Sequence, residues 1–397
     1  MDLTVLVVLV IGLALLFDFT NGFHDTANAM ATPIATGALK PKTAVALAAV
    51  LNLIGAFLST EVARTISGGL IRESDGNGGG VLISPELILA GLIGAIVWNL
   101  ITWLLRLPSS SSHALFGGLI GAAIVGFGTQ AIDGGVLISK VLIPAVLAPV
   151  TAMLVAFLAT KIAYGLVRKR ERDGFKRGQI LTSSLVSLAH GTNDAQKTMG
   201  VITLTLIAAG MLSVDAHPPF WVIAACAVAI AAGTYAGGWR IIKTLGRDLT
   251  EIEPAQGFAA EASTTATILA STHLGFALST TQVASGSVIG TGLGRKGAKV
   301  RWGTAGKIAI GWLITIPASG TIAALAALIA TFGFWGIVVD MVLALGTIAG
   351  IYLWSRRDKV SHRSFHTPEP GQFVKPKKKP KKKKRKGKNK STKKGKR

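Results

Sequence analysis

Two acidic residues stand where acids are costly. Asp25 lies in NGFHDTANAM and Asp194 in HGTNDAQKTM, each inside a long apolar stretch. A carboxylate at membrane depth costs roughly 2.5–3.5 kcal/mol on insertion scales. Two in matching contexts point to a bound ligand or a coupled charge. On a helix, Asp25 and Asn28 share a face at i, i+3. A carboxylate with an amide oxygen suits a hard cation such as sodium, and the acid alone takes a proton. The same spacing in the second motif gives Asp194 and Lys197, with Asn193 next to the acid. That ammonium either faces an anion or forms a structural pair with Asp194. Gly22 and Gly191 precede the acids by one turn and are expected to break each helix, freeing carbonyls for a cation.

A second chemistry lies in LPSSSSHALFGG (107–118) and LSTTQVASGS (278–287). Hydroxyl residues that introduce an apolar run read as helix starts. Free N–H groups and the positive dipole end make a helix start an anion site. Ser110, Ser111 and Ser112 add hydroxyl donors from one segment, and Ser279, Thr280 and Thr281 from the other. Two such starts converging would surround a tetrahedral oxyanion with neutral donors. The bland alternatives are ordinary capping and small-residue packing. In QGFAAE, Gln256 and Glu261 open the span before Ser279 and are further candidates. His24, His113 and His190 lie within the motifs, as proton relays or as structural donors.

The elements that position these groups are apolar and repeated. Half of the 397 residues are hydrophobic and 15% are charged, which excludes an ordinary soluble domain. About ten apolar stretches are present, several near the ~20 residues that cross hydrocarbon. The offset from Asp25 to Asp194 is 194 − 25 = 169. It recurs between Gly22 and Gly191, Met30 and Met199, His113 and Gln282, and Gly121 and Gly290. One offset governing distant segments implies two homologous halves. We expect repeats at 1–165 and 179–354, a basic linker at 166–178 and a disordered tail at 355–397. The fold class expected is all-α integral membrane: two inverted repeats of five to six helical segments, with broken or re-entrant helices meeting at the midplane.

The formal charge of +23 is concentrated in the tail, where residues 375–397 hold sixteen Lys or Arg and no acid. The remainder carries 42 − 16 = 26 bases and 19 acids, a net of +7. The tail reads as a solvated cytosolic segment in contact with anionic lipid headgroups, with no specific nucleic-acid partner. Basic residues also mark the loops at 168–177, 240–247 and 295–301. The first-half counterparts of the latter two loops carry no positive excess, as an inverted repeat requires. The expected topology places the N-terminus outside and the C-terminus in the cytosol of a multi-pass plasma-membrane protein. The apolar start reads as a retained first span. Cys226 is the sole cysteine, so no disulfide forms within the chain. No Walker A pattern occurs, which argues against ATP-driven pumping.

The motifs GFHDTANAMAT, PSSSSHALFGG, HGTNDAQKTMG, QGFAAE and STTQVASGSVIG resemble those of the inorganic phosphate transporter (PiT) family, sodium- or proton-coupled phosphate symporters. The resemblance covers residues 1 to about 354. It departs at His24, where the family's Gly-x-Asn-Asp core has Asn, and at Gln282, where His is usual. The resemblance implies cation coupling at Asp25 and Asp194, an anion held by the Ser/Thr segments, no cofactor beyond the coupling ion, no enzymatic activity, and allows a homodimer. Sulfate or a metal–phosphate complex is the alternative cargo within the family. A membrane metalloenzyme using His24, Asp25, His190 and Asp194 is the rival from another class.

Overall fold

The computed structural model describes residues 2–63, 83–166, 172–213, 215–273, 278–358 and 360–365. The loop at 64–82, the bases at 168–170 and the Lys-rich tail, with the expectations placed on them, lie outside the described residues. Among the described residues the elements are helices, with no strand between them. The longer ones are α1 (Leu3–Ala35), α2 (Pro41–Gly55), α3 (Pro85–Leu104), α4 (Ser111–Phe127), α5 (Ile143–Leu166), α6 (Arg172–Ala208), α7 (Phe220–Ala236), α8 (Pro254–His273), α9 (Thr280–Gly294), α10 (Trp302–Ala330) and α11 (Phe334–Ser355).

Local chemistry sets the starts. Asp2 caps α1 by accepting from the Thr4 amide at 2.9 Å. Pro41 and Pro85 open α2 and α3, where a missing N–H does no harm. Arg106, with φ 62°, and Pro108 end α3 and turn the chain toward α4. Ser110 and Ser279 cap α4 and α9, accepting from the amides of His113 (3.1 Å) and Gln282 (3.3 Å). The two caps repeat the sequence offset, 279 − 110 = 169.

That offset runs through the architecture. Adding 169 to Pro85–Leu104 gives 254–273, the bounds of α8, and adding it to Ser111 gives the first residue of α9. The paired helices α1 and α6 run antiparallel. Thr36 donates to Gln179 at 2.7 Å, while Asp25 lies beside His190, so rising numbers on one meet falling numbers on the other. Equivalent helices crossing in opposite directions near equivalent residues describe an inverted repeat.

The glycines show how the halves interlock. The expected unwinding at Gly22 and Gly191 does not occur, because α1 and α6 pass through both positions unbroken. These glycines serve close packing instead. A Cβ on Gly22 would overlap the carbonyl of Ile230 on α7, and one on Gly191 the carbonyl of Asn52 on α2. Likewise Gly117 and Gly121 of α4 press on Ile316 and Gly320 of α10, and Gly286 and Gly290 of α9 on Pro149 and Met153 of α5. Each half thus packs its glycine faces on helices of the other. Between α3 and α4 the chain leaves the helix at the serine turn before Ser111.

Among the described residues five helices are long and apolar enough to span a membrane, or six if Phe220–Ala236 and Trp239–Asp248, bent by 55°, form one broken span. Leu154, Leu313 and Leu343 point outward from them, as a hydrocarbon solvent allows. The chain is an integral membrane protein.

Gly121→Ala and Gly290→Ala should each destabilise the fold by about 1–3 kcal/mol through overpacking. Gly12, whose Cβ position is open, supplies the control. Thermal melts of detergent-purified variants check this; equal melts for all three substitutions would refute the packing role.

Candidate functional site

A group of buried polar residues gathers where α1 and α6 cross. Asp25 and Asp194 are almost fully buried, and so are the groups around them. His190, one turn before Asp194 on α6, brings its Nε2 to 3.0 Å from Asp194 Oδ2 and 3.8 Å from Asp25 Oδ2. It therefore bridges the two acids. Its Nδ1 lies 3.3 Å from Asn52 Oδ1, and Asn52 in turn donates to Thr234 at 2.7 Å. The imidazole is thus fixed by α2 and α7, the same helices that receive Gly191 and Gly22. His24 Nδ1 meets Asp25 Oδ1 at 2.9 Å. Lys197 forms a buried ion pair with Asp194, one helical turn away.

The start of α9 closes the cluster. Thr280 Oγ1 donates at 3.2 Å to Asp25 Oδ2 or to Asp194 Oδ2, being placed for either, and Thr281 Oγ1 donates to Asp25 Oδ1 at 3.0 Å. Asn28 Nδ2 reaches both threonines, at 3.3 and 3.1 Å. The carboxylates are therefore held by the side-chain hydroxyls of the first two residues of α9. The start of α4 arrives less directly. Ser109 Oγ is 2.7 Å from Thr102 Oγ1, and Thr102 is 3.5 Å from His24 Nε2. His113 of α4 lies within electrostatic reach of Lys197.

The sequence candidates divide accordingly. Asp25, Asn28, Asp194, Lys197, His24, Thr280 and Thr281 meet in one cluster. Asn193 is buried on α6 next to Asp194. Ser110 and Ser279 spend their hydroxyls on capping. Ser111, buried in the first turn of α4, has no partner for its hydroxyl among the described residues. Ser112 is buried beside it. Glu261 of α8 makes a separate cluster, accepting from Thr32 of α1 and from Thr182 and Gln179 of α6. Thr32 is two turns past Asp25, about 10 Å along the helix.

Gln256 is not brought to the site. It stands in the first turn of α8, at the open end of the hairpin, and ties that turn to Thr291 at the end of α9 (3.1 Å) and to Arg295 (3.0 Å). Thr102, Ser109 and Asn52 escaped the sequence reading. Thr102 and Asn52 are isolated polar residues in apolar helices, the one signal by which they stand out, while Ser109 is the first of the four serines that lead into α4.

The arrangement suits a positive ligand. Ligand atoms of Asp25, His190 and Asp194 lie within 4.8 Å of one another, a spacing that can hold a metal ion. Counting Asp25, Asp194 and Lys197 gives −2 + 1 = −1 before any proton on a histidine. An anion brought here needs a cation to neutralise that charge.

Comparison with known proteins gives the lineage. The family model described as "Phosphate transporter family" matches residues 21–174 and again 166–323. A Mycobacterium bovis protein named "Probable low-affinity inorganic phosphate transporter" is 55% identical over 376 residues, 93% of this chain and 88% of that one. A Bacillus subtilis protein of the same name is 43% identical over 332 residues, 82% of this chain and 97% of its own. A solved structure titled "The sodium-dependent phosphate transporter" superposes with a TM-score of 0.73 at 24% identity, over 83% of this chain and all of that one. At that identity the likeness is one of fold.

Lys197 generates a prediction about charge balance. Lys197→Met leaves Asp194 without its buried cation and should cost about 3–5 kcal/mol of stability. Adding Asp194→Asn should restore most of the loss. Melting of the single and double variants in detergent reads this out, and additive effects would show that the two side chains are not coupled.

Proposed function

The chain belongs to the phosphate transporter family, a family of transporters rather than enzymes, and we propose that it carries inorganic phosphate across the membrane by cation-coupled symport. The observation that carries this reading is the convergence of Asp25 and Asp194 at the crossing of two equivalent antiparallel helices, against the start of α9. We assign Asp25 and Asp194, with Asn28 and Asn193, to the coupling cation, sodium or a proton. We assign Ser110–Ser112 and Ser279–Thr281, through their hydroxyls or backbone amides, to the phosphate.

Charge dictates the order of events in this scheme. The cluster carries its own partners: Lys197 on Asp194, His24 and Thr281 on Asp25, and Thr280 between the acids. A phosphate dianion is repelled by the net −1 until cations bind. Cations drawn to the carboxylates release the threonine hydroxyls for phosphate, beside the amides of the α9 start. Ser111 and the start of α4 supply donors from the opposite half, near Lys197. Rocking of one set of interlocked helices against the other then exchanges access between the two sides.

We place the protein in the cytoplasmic membrane, with the N-terminus outside and the C-terminus in the cytosol. The halves are 1–165 and 179–354, joined by the basic linker 166–178, and the tail 355–397 meets anionic headgroups.

One observation favours a second cargo. Asp25, His190 and Asp194 form a set that fits a divalent metal as well as sodium. A neutral metal–phosphate complex would satisfy the same charge balance in one step. Magnesium-dependent phosphate uptake without a sodium or pH gradient would favour that cargo.

Asp25→Asn and Asp194→Asn should each bring radiolabelled phosphate uptake in proteoliposomes to background, Asp194→Asn also losing stability because it leaves Lys197 unpaired, and detergent melts check that each variant is folded. A sodium gradient and a pH gradient, imposed separately on the wild type, identify the coupling ion. Excess unlabelled sulfate should leave the uptake intact. Wild-type transport in either variant would overturn the site assignment, and full competition by sulfate would change the substrate.

A further inference from the structure

A second acid lies inside the first helix and has no part in the cluster described above. Asp18 is two turns before Asp25, about 10 Å along the α1 axis. It is 0% exposed, and neither carboxylate oxygen has a hydrogen-bond partner among the described residues. Asn21, one turn on toward Asp25, is also 0% exposed with both amide atoms unpartnered. The hydroxyl of Thr198 on α6 lies beside Asp18 yet closes no hydrogen bond of normal geometry. The antiparallel crossing of α1 and α6 explains this neighbour: Thr198 is one turn past Asp194, as Asp18 is two turns before Asp25.

The third helix adds a fourth group. Thr102 of α3 reaches His24 of α1. Residues Trp239 to Asp248 bridge the two helices. Gly238 abuts Phe23 and Gly246 abuts Ala31 on α1, while Arg240 stacks on Trp103 of α3 and Thr244 binds the carbonyl of Arg106. Rising numbers on α1 and α3 therefore run together. One turn before His24 and Thr102 stand Asn21 and Asn99, on adjoining turns. Asn99 is 0% exposed, and both of its side-chain polar atoms lack partners among the described residues.

A buried carboxylate with an unpartnered hydroxyl beside it, an unpartnered amide one turn along its helix and another on the adjoining turn of α3 is unfinished chemistry. Burial without compensation costs a carboxylate several kcal/mol. The groups at hand are oxygen donors, the set a hard monovalent cation takes. The charges close to Asp18 are Asp194, His190 and Lys197 on α6, and the Cys226 thiol approaches from α7. Among the described residues none forms an ion pair with it. The repeat does not duplicate the feature, since 18 + 169 is Ser187, whose hydroxyl is bound to the Ser183 carbonyl at 3.0 Å.

We propose that Asp18, Asn21, Asn99 and Thr198 form a second binding site for the coupling cation, on the α1 side of Asp25 toward its N-terminus. The proposal rests on the cation-coupled reading of the protein. The shared chemistry is a monovalent cation at a buried carboxylate, sodium or a proton. Two cations, one at each site, would bring a phosphate dianion into the membrane without net charge on the cargo.

The test uses the full chain in proteoliposomes. Phosphate uptake is measured against sodium at fixed pH, and against an imposed pH gradient in sodium-free buffer. The arm that responds names the occupant. Asp18→Asn should raise the half-saturating concentration of that ion by at least about tenfold, the loss expected for a removed ligand, and bring the Hill coefficient from above one to one. Thr198→Ala should raise it by a few-fold and keep the Hill coefficient. If Asp18→Asn does not fold, Thr198→Ala decides. Cation dependence equal to wild type in the folded variants overturns the second site while leaving symport in place. Wild-type uptake indifferent to both gradients overturns symport itself.

Discussion

A carboxylate buried in hydrocarbon must find compensation within reach, and this requirement organises the centre of the protein. Asp25 and Asp194 share His190 and Thr280, while Lys197 pairs with Asp194 alone and His24 and Thr281 with Asp25 alone. These partners are drawn from several elements. The lysine and His190 ride on α6, the threonines on α9, and the asparagine that holds His190 on α2. Ser279 caps α9 where it begins, and the acids then give the hydroxyls of its first two residues their partners. Two histidines, two threonines and a single lysine thus compensate the acids.

The same constraint explains why the halves interlock rather than sit side by side. A central site built by both halves needs α1 and α6 in contact along the turns that carry the acids. Glycines on those turns let the flanking helices approach until backbone touches backbone. At Gly22 and Gly191 the flanking helix comes from the other half, so the acids, their partners and the packing that fixes them belong to one interlocked body.

Much of this was legible in the residues. The offset of 169 located α4 against α9 and, once the structure is seen, α3 against α8 as well. The paired acids and the cap serines followed from type and spacing. The role of Gly22 and Gly191 did not. A glycine in a helix reads alike whether it breaks the helix or admits a neighbour, and only the position of Ile230 and Asn52 separates the two. Gln256 and Glu261 both open the span before Ser279, but more than a turn separates them, and they end on different partners. Asp18 stood in plain view in an apolar run. It lacked a repeat partner, and repetition was the signal that made the other acids conspicuous.

The interlocking has a consequence for how the chain is made. The carbonyl that Gly233 abuts belongs to Phe19 of α1, earlier in the chain by 233 − 19 = 214. At a synthesis rate of about 5–20 residues per second, α1 waits roughly 10–40 s in the bilayer before its partner helix is complete. For most of that wait Asp25 has neither His190 nor Thr280 beside it. Biogenesis therefore passes through a half-made protein whose acid faces lipid, an incomplete helix set or a membrane chaperone, and the order in which helices leave the ribosome decides how long that exposure lasts.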